Sequence, residues 1–321
     1  MEEKKSERGK VLYLVVPCYN EQEVLPETAR RLLEKLESLT KRGLIAKESR
    51  ILFVNDGSKD RTWELIEELH EQNPVYQGVK LSRNRGHQNA LLGGLMTAKE
   101  YADMVISLDA DLQDDIDVID QFVERYYAGC EIVYGVRSAR KTDTFFKRFT
   151  AESFYRLISF MGGEVVFTHA DYRLMSKRAL EELSNYQEVN LFLRGIVPMI
   201  GFQTDVVTYE RHERLAGESK YPLKKMLALA VDGITSLSIK PIRFIVFLGG
   251  LLFFCSILML IYSLVQHFLG NTTSGWTSLI VSIWAIGGLQ LLAIGIIGEY
   301  IGKIYLETKA RPKYIIEKVL K

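Results

Sequence analysis

Four times between Val11 and Ala128 the chain repeats one pattern: a short apolar, β-branched run, a polar turn, then a helical stretch. Val11 to Val16 breaks at Pro17-Cys18-Tyr19-Asn20-Glu21, and Glu27 to Leu39 follows with Leu32, Leu33, Leu36 and Leu39 at helical spacing. Arg50 to Val54 leads into Asn55-Asp56-Gly57-Ser58 and a helix carrying Trp63, Leu65, Ile66 and Leu69. Val75 to Leu81 ends in Ser82-Arg83-Asn84-Arg85-Gly86, ahead of a helix from His87 to Tyr101 with a small-residue face at Gly93, Gly94 and Ala98. The run from Val105 to Leu108 stops at Asp109-Ala110-Asp111-Leu112-Gln113. A helix over about 116–128 and a strand from Glu131 to Val136 come next. Strands alternating with helices predict βαβ units and a largely parallel sheet, an α/β fold. In such a sheet the turns after the strands meet along one edge, where ligands bind.

That edge would gather chemistry. Asp109 and Asp111, with the amide oxygen of Gln113, offer a hard, oxygen-only ligand set that suits Mg²⁺ or Mn²⁺ held together with substrate phosphates. No G-x-G-x-x-G follows the first strand and no G-x-x-x-x-G-K-[ST] occurs, which argues against a dinucleotide oxidoreductase and a P-loop NTPase. With 41 basic and 40 acidic side chains there is no bulk charge to hold nucleic acid, so no nucleic-acid partner is expected. Cys18, Cys130 and Cys255 are far apart and form neither a disulfide framework nor a zinc motif, which fits a reducing compartment. Met1 to Lys10 is charged and lacks the apolar core of a signal peptide.

Three of these turns together carry a resemblance. Val15-Val16-Pro17-Cys18-Tyr19-Asn20-Glu21, Val54-Asn55-Asp56-Gly57-Ser58-Lys59-Asp60 and Leu108-Asp109-Ala110-Asp111-Leu112-Gln113 resemble the signature turns of family-2 inverting glycosyltransferases of the GT-A fold. Within them the chain looks like the polyisoprenyl-phosphate glycosyltransferases, a group that includes dolichol-phosphate mannose synthase and bacterial undecaprenyl-phosphate glucosyl and N-acetylglucosaminyl transferases. Asn55 departs from the pattern, because many members carry a second Asp there. The resemblance implies that Asp56, with Pro17, Tyr19 and Glu21, holds the nucleoside end of a UDP-sugar. It implies that Asp109, Asp111 and Gln113 bind a metal bridging the diphosphate. Arg137 and Arg148 fall where the lipid phosphate of undecaprenyl phosphate is gripped. Asp171, in a segment Asp171-Tyr172-Arg173-Leu174-Met175 read as a turn near the sugar, is the candidate catalytic carboxylate alongside Asp111, as a base or as an orienting group. Arg214 and Lys220, in an R-x-x-G-x-S-K segment, would close over the donor pyrophosphate.

The last third holds two long apolar runs. Ahead of them, the stretch 141–161 is basic and aromatic, and Pro222 to Ser238 is helical in pattern; both suit the membrane interface. Phe244 to Val265 and Trp276 to Ile297 are each long enough to span a bilayer. Lys240 and Arg243 precede this hairpin, Lys303, Lys309 and Arg311 follow it, and Gln266 to Gly275 holds no Lys or Arg. The positive-inside rule then puts both termini and the catalytic part in the cytoplasm of a multi-pass inner-membrane protein. The expected organisation is a catalytic domain over 1–221, an interfacial helix over 222–241, two transmembrane helices within 242–300 and a cytoplasmic tail over 301–321. The expected activity is transfer of a single glucose, N-acetylglucosamine or galactose from a UDP-sugar to undecaprenyl phosphate. A processive polysaccharide synthase would carry a Q-x-x-R-W segment, which is absent, and a silent membrane scaffold would have lost an Asp-x-Asp carboxylate, yet both are present. The sequence leaves a homo-oligomer and a flippase partner open.

Overall fold

Among the described residues eight strands, β1 (Leu12–Cys18), β2 (Arg50–Asn55), β3 (Tyr76–Leu81), β4 (Met104–Ser107), β5 (Ile132–Arg137), β6 (His169–Ser176), β7 (Thr204–Tyr209) and β8 (Ile316–Leu320), form one sheet in the order β7-β5-β6-β4-β1-β2-β3-β8. The structure, a computed structural model, describes residues 9–137, 169–188, 192–210, 240–269 and 275–321. The two predicted interfacial stretches, Lys141 to Met161 and Pro222 to Ser238, lie outside the described residues, as do Arg148, Arg214 and Lys220.

The sheet's first half follows the alternation in the sequence. β1 (Leu12–Cys18), β2 (Arg50–Asn55), β3 (Tyr76–Leu81) and β4 (Met104–Ser107) run parallel, with β1 between β2 and β4. The crossovers are α1 (Leu25–Lys41), α2 (Thr62–Gln72) and α3 (His87–Ala98). A short 3₁₀ turn (Ile116–Val118) and α4 (Ile119–Tyr127) lead to β5 (Ile132–Arg137). Side-chain alternation along β1 divides the core into two layers. Leu12, Leu14 and Val16 pack with Leu32, Leu36, Ile66 and Phe122 on the face covered by α1, α2 and α4. Tyr13 and Val15 pack with Leu91, Leu95, Leu180 and Ile196 on the opposite face, beneath α3, α5 (Lys177–Leu183) and α6 (Leu193–Met199). Gly94 lets α3 sit directly on the sheet, since a Cβ there would lie 2.5 Å from Val15 Cγ1 and 2.6 Å from Val54 Cγ2.

Two segments differ from the sequence reading and a third strand appears where it assigned no element. Asp171–Met175 is not a turn but the middle of β6 (His169–Ser176), antiparallel between β4 and β5. Its alternation is disguised, because Tyr172 and Leu174 join one core layer while Asp171 and Arg173 sit as a buried pair on the other face beside Met175. β7 (Thr204–Tyr209) adds in parallel to β5 at one edge. β8 (Ile316–Leu320), within the segment read as a tail, adds antiparallel to β3 at the other edge. Between β7 and β8 run two long helices, α7 (Lys240–Phe268) and α8 (Trp276–Lys309). Among the described residues one stretch, Ile286–Lys309, is long and apolar enough to cross a membrane, with none of it buried in the protein. Along α7, Phe244, Val246, Phe247, Leu251, Phe254, Leu258 and Ile261 are exposed as well.

Candidate functional site

The strand order reverses between β1 and β4, so the turns after them open a crevice at the sheet's carboxyl edge. Hydrogen bonds lace these turns into a platform. Asn20, in a left-handed conformation (φ 55°), receives the Lys59 N–H on its side-chain oxygen at 2.9 Å and donates its own N–H to Ser58 Oγ at 3.0 Å. The Glu21 N–H reaches Thr62 Oγ1 at 2.9 Å, and the Gln22 N–H reaches Asp60 Oδ2 at 3.2 Å. Asp56 binds the next turn: its two oxygens accept the backbone N–H groups of Arg85 (2.7 Å) and Gly86 (2.9 Å). Gly57 has φ 62°, and a Cβ there would sit 2.4 Å from the Asn84 nitrogen, so this close approach of two turns requires glycine. Burial raises the Asp56 carboxyl above its usual range, against the pull of the two amides. Pro17 lies inside β1, paired with Val54, and Tyr19 is exposed on the crevice rim.

Asp109 and Asp111 stand on the turn after β4. Leu112 between Asp111 and Gln113 has φ 53°, a strained conformation for a bulky residue and one that clusters at functional sites. It folds the turn back so that the Gln113 N–H meets Asp111 Oδ1 at 3.2 Å. Among the described residues no three His, Cys, Asp or Glu side chains converge on a metal position. The donor set nevertheless fits a hard cation that takes the rest of its shell from a diphosphate. Burial, with Asp114, Asp171 and Asp111 nearby, pushes the Asp109 carboxyl up despite His87. Asp114 also keeps one buried oxygen, Oδ2, without a hydrogen-bond partner among the described residues. A cation would relieve this crowding of carboxylates.

Asp171 is a hub and not an open acid. It is 5% exposed. Its oxygens accept Arg173 Nη2 at 2.6 Å, Arg194 Nη2 at 3.1 Å and Gln88 Nε2 at 3.3 Å, and His87 Nε2 lies at 3.4 Å. Burial alone would raise its pKa; Arg194, His87 and Arg173 outweigh burial and hold the carboxyl well below the usual range. Burial opposes a charge on His87, as does Arg194, yet Asp171 and Asp109 outweigh them and raise its pKa. His87 Nε2 also lies 3.8 Å from Asp109 Oδ1, which links the hub to the Asp-x-Asp turn. Gln88 joins the hub to α6 by accepting the Leu193 N–H at 3.1 Å, and Arg173 donates to the Leu193 carbonyl at 3.3 Å.

Arg137, at the end of β5, donates to Asp114 Oδ1 and to Tyr209 Oη, both at 3.2 Å, and Tyr209 donates to the same Asp114 oxygen at 2.5 Å. The structure therefore brings Pro17, Tyr19, Glu21, Asp56, Asp109, Asp111, Gln113, Arg137 and Asp171 to one edge. His87, Gln88, Asp114, Arg173, Arg194 and Tyr209 belong there too, though the sequence did not single them out. For Asp114 the signal was its place in a run of five acids (Asp109, Asp111, Asp114, Asp115, Asp117); a lone His or Arg at a helix start carried none.

Comparison with known proteins follows the same lines. The glycosyl transferase family 2 model matches residues 13–184. The glycosyltransferase YkoT of Bacillus subtilis is 59% identical over 307 residues, 96% of this chain and 91% of that protein. The SfII prophage-derived bactoprenol glucosyl transferase of Shigella flexneri is 43% identical over 95% of this chain and 97% of its own length. The prophage bactoprenol glucosyl transferase homolog of Escherichia coli is 40% identical over 96% and 99%.

Proposed function

The chain belongs to glycosyl transferase family 2, and from that premise we propose that it moves a single glucose from UDP-glucose onto undecaprenyl phosphate at a membrane. One observation carries the reading: relatives named as bactoprenol glucosyl transferases match the chain end to end at 40–43% identity. The site supports it. The nucleoside end rests on the laced turns around Pro17, Tyr19, Glu21 and Asp56. Asp109, Asp111 and Gln113 would hold Mg²⁺ or Mn²⁺, which would offset the negative charge of the departing diphosphate. Arg137 is aimed by Asp114 and Tyr209 and offers its planar fork to the acceptor phosphate. Arg148 joins it, and Arg214 and Lys220 close over the pyrophosphate. The phosphate oxygen attacks the anomeric carbon from the face opposite the leaving group, giving a β-linked lipid-phosphate sugar. A phosphate monoester is already ionised near neutral pH, so no general base is needed. That suits Asp171, whose occupied, low-pKa carboxylate positions Arg194 and His87.

The sheet also supports the two-helix anchor. β1 to β7 and β8 lie in one sheet, which supports placing these strands on one side of any membrane, with an even number of crossings between β7 and β8. α7 and α8 supply two crossings. At 1.5 Å per residue the 34 residues of α8 extend about 50 Å. A bilayer core of about 30 Å leaves the charged end of α8 outside, reaching back to the catalytic domain. The positive flanks favour the cytoplasm for that side. The test is a donor panel: full-length protein in detergent, undecaprenyl phosphate, and labelled UDP-glucose, UDP-galactose or UDP-N-acetylglucosamine in parallel. Label entering the lipid with UDP-glucose alone is the expected result; transfer from another donor alone rejects the assigned sugar.

A further inference from the structure

Three consecutive residues between α8 and β8 each touch a different element of the site. Lys313 Nζ donates to the Tyr186 carbonyl at 2.9 Å, in the connection from α5 towards α6, which carries Arg194. The Tyr314 ring lies against the bare backbone of α3, where a Cβ on Gly93 would meet it at 3.4 Å. α3 begins with His87 and Gln88, both on Asp171. The Ile315 carbonyl accepts the N–H of Ser82 at 3.0 Å, the first residue of the turn that Asp56 clamps. β8 then fixes the segment by pairing Ile316 with Leu81 and Val319 with Val79, and Leu320 covers Gly78. None of these contacts anchors a surface tail. They gather α3, the β3 turn and the approach to α6 under one strap, and the strap is the direct continuation of the long apolar helix α8.

We propose that Lys313 and Tyr314 are positioning residues of the glycosyl-transfer site, and that the strap couples the membrane helix α8 to the placement of His87, Gln88 and Arg194. A helix tilted or rotated by the bilayer moves residues 310–315, and these bear on the elements that aim the hub around Asp171. The fit is close: a Cβ on Gly93 would already touch the Tyr314 ring at 3.4 Å, so a side chain longer than alanine's would have to displace it.

The kinetic arm of the test rests on the proposed activity; the exchange arm does not. In full-length protein, Tyr314→Ala lowers kcat for transfer from UDP-glucose by roughly ten- to a hundredfold, the scale of a small misplacement of reacting groups, and leaves KM for the lipid unchanged. Tyr314→Phe keeps the ring and restores kcat. Gly93→Leu pushes the ring away from the other side and reproduces the loss, and combining it with Tyr314→Ala gives less than the product of the two effects. Hydrogen exchange in Tyr314→Ala accelerates over residues 82–92 and 186–194 while β1 and β2 stay protected. Wild-type exchange in those segments, or acceleration spread evenly over the sheet with no rescue by Tyr314→Phe, overturns the proposal. A wild-type protein silent with UDP-glucose would reject the donor assignment, and exchange alone would then decide on the strap.

Discussion

Asp171→Asn removes one negative charge without changing the size of the side chain. Asp171 Oδ1 faces Arg173 at 2.6 Å, and that guanidinium is 1% exposed. Removing one partner of a buried pair leaves the other charge uncompensated and costs roughly 3–5 kcal/mol. Arg194 adds little, because its side chain is 35% exposed and water replaces the lost contact. The sign of the pH dependence follows from the lowered carboxyl. A group whose pKa is depressed by folding contributes stability above its unfolded pKa, about 3.9 for Asp, and loses it as pH falls towards the folded value. Guanidinium unfolding of the full chain in detergent, followed by near-UV circular dichroism, should therefore show Asp171→Asn less stable by about 3–5 kcal/mol at neutral pH. The difference should hold down to about pH 4 and shrink below it. If the variant unfolds like the wild type while turnover collapses, Asp171 is a chemical group in the reaction, and the reading of it as a hub is wrong.

Four further outcomes follow from the geometry. Asp111→Ala should abolish transfer while the protein still inserts and melts like the wild type, and EDTA should silence the wild type; activity surviving both would remove the metal. Arg137→Ala should raise KM for the lipid phosphate, and losing a partner of buried Asp114 should lower stability by about 1–3 kcal/mol in the same unfolding assay. Gly57→Ala places a Cβ against the Asn84 backbone at φ 62°, and should cost at least about 1–2 kcal/mol in stability and raise KM for the UDP-sugar. Ala310, which ends α8 at φ 44°, should gain up to about 1 kcal/mol as glycine, read as a higher melting temperature.

Much of the fold could be read from the sequence because β1, β2 and β4 are buried on both faces and so appear as nearly unbroken apolar runs with polar turns behind them. The turns that form the platform stood out for the same reason: Asn20, Asp56, Gly57 and the Asp-x-Asp interrupt those runs abruptly. β6 was hidden by its function. Its inner face carries Asp171 and Arg173, a charged pair that neutralises itself only in three dimensions, so the pattern looked like a turn. β8 was hidden differently: at the sheet edge Ile316, Glu317, Lys318 and Val319 are all exposed, and a half-polar segment after a long helix carries no strand signal. The partners of Arg137 show the same limit. Asp114 and Tyr209 lie 95 positions apart in the chain yet share a 2.5 Å hydrogen bond that only the β5–β7 pairing creates.

The most direct measurement is mass spectrometry of the lipid product formed by the full-length protein from UDP-glucose, undecaprenyl phosphate and Mg²⁺ or Mn²⁺. The account predicts undecaprenyl phosphate heavier by one hexose, absent with EDTA and absent in Asp111→Ala. A ladder of added hexoses, or unmodified lipid with a folded protein, would contradict it.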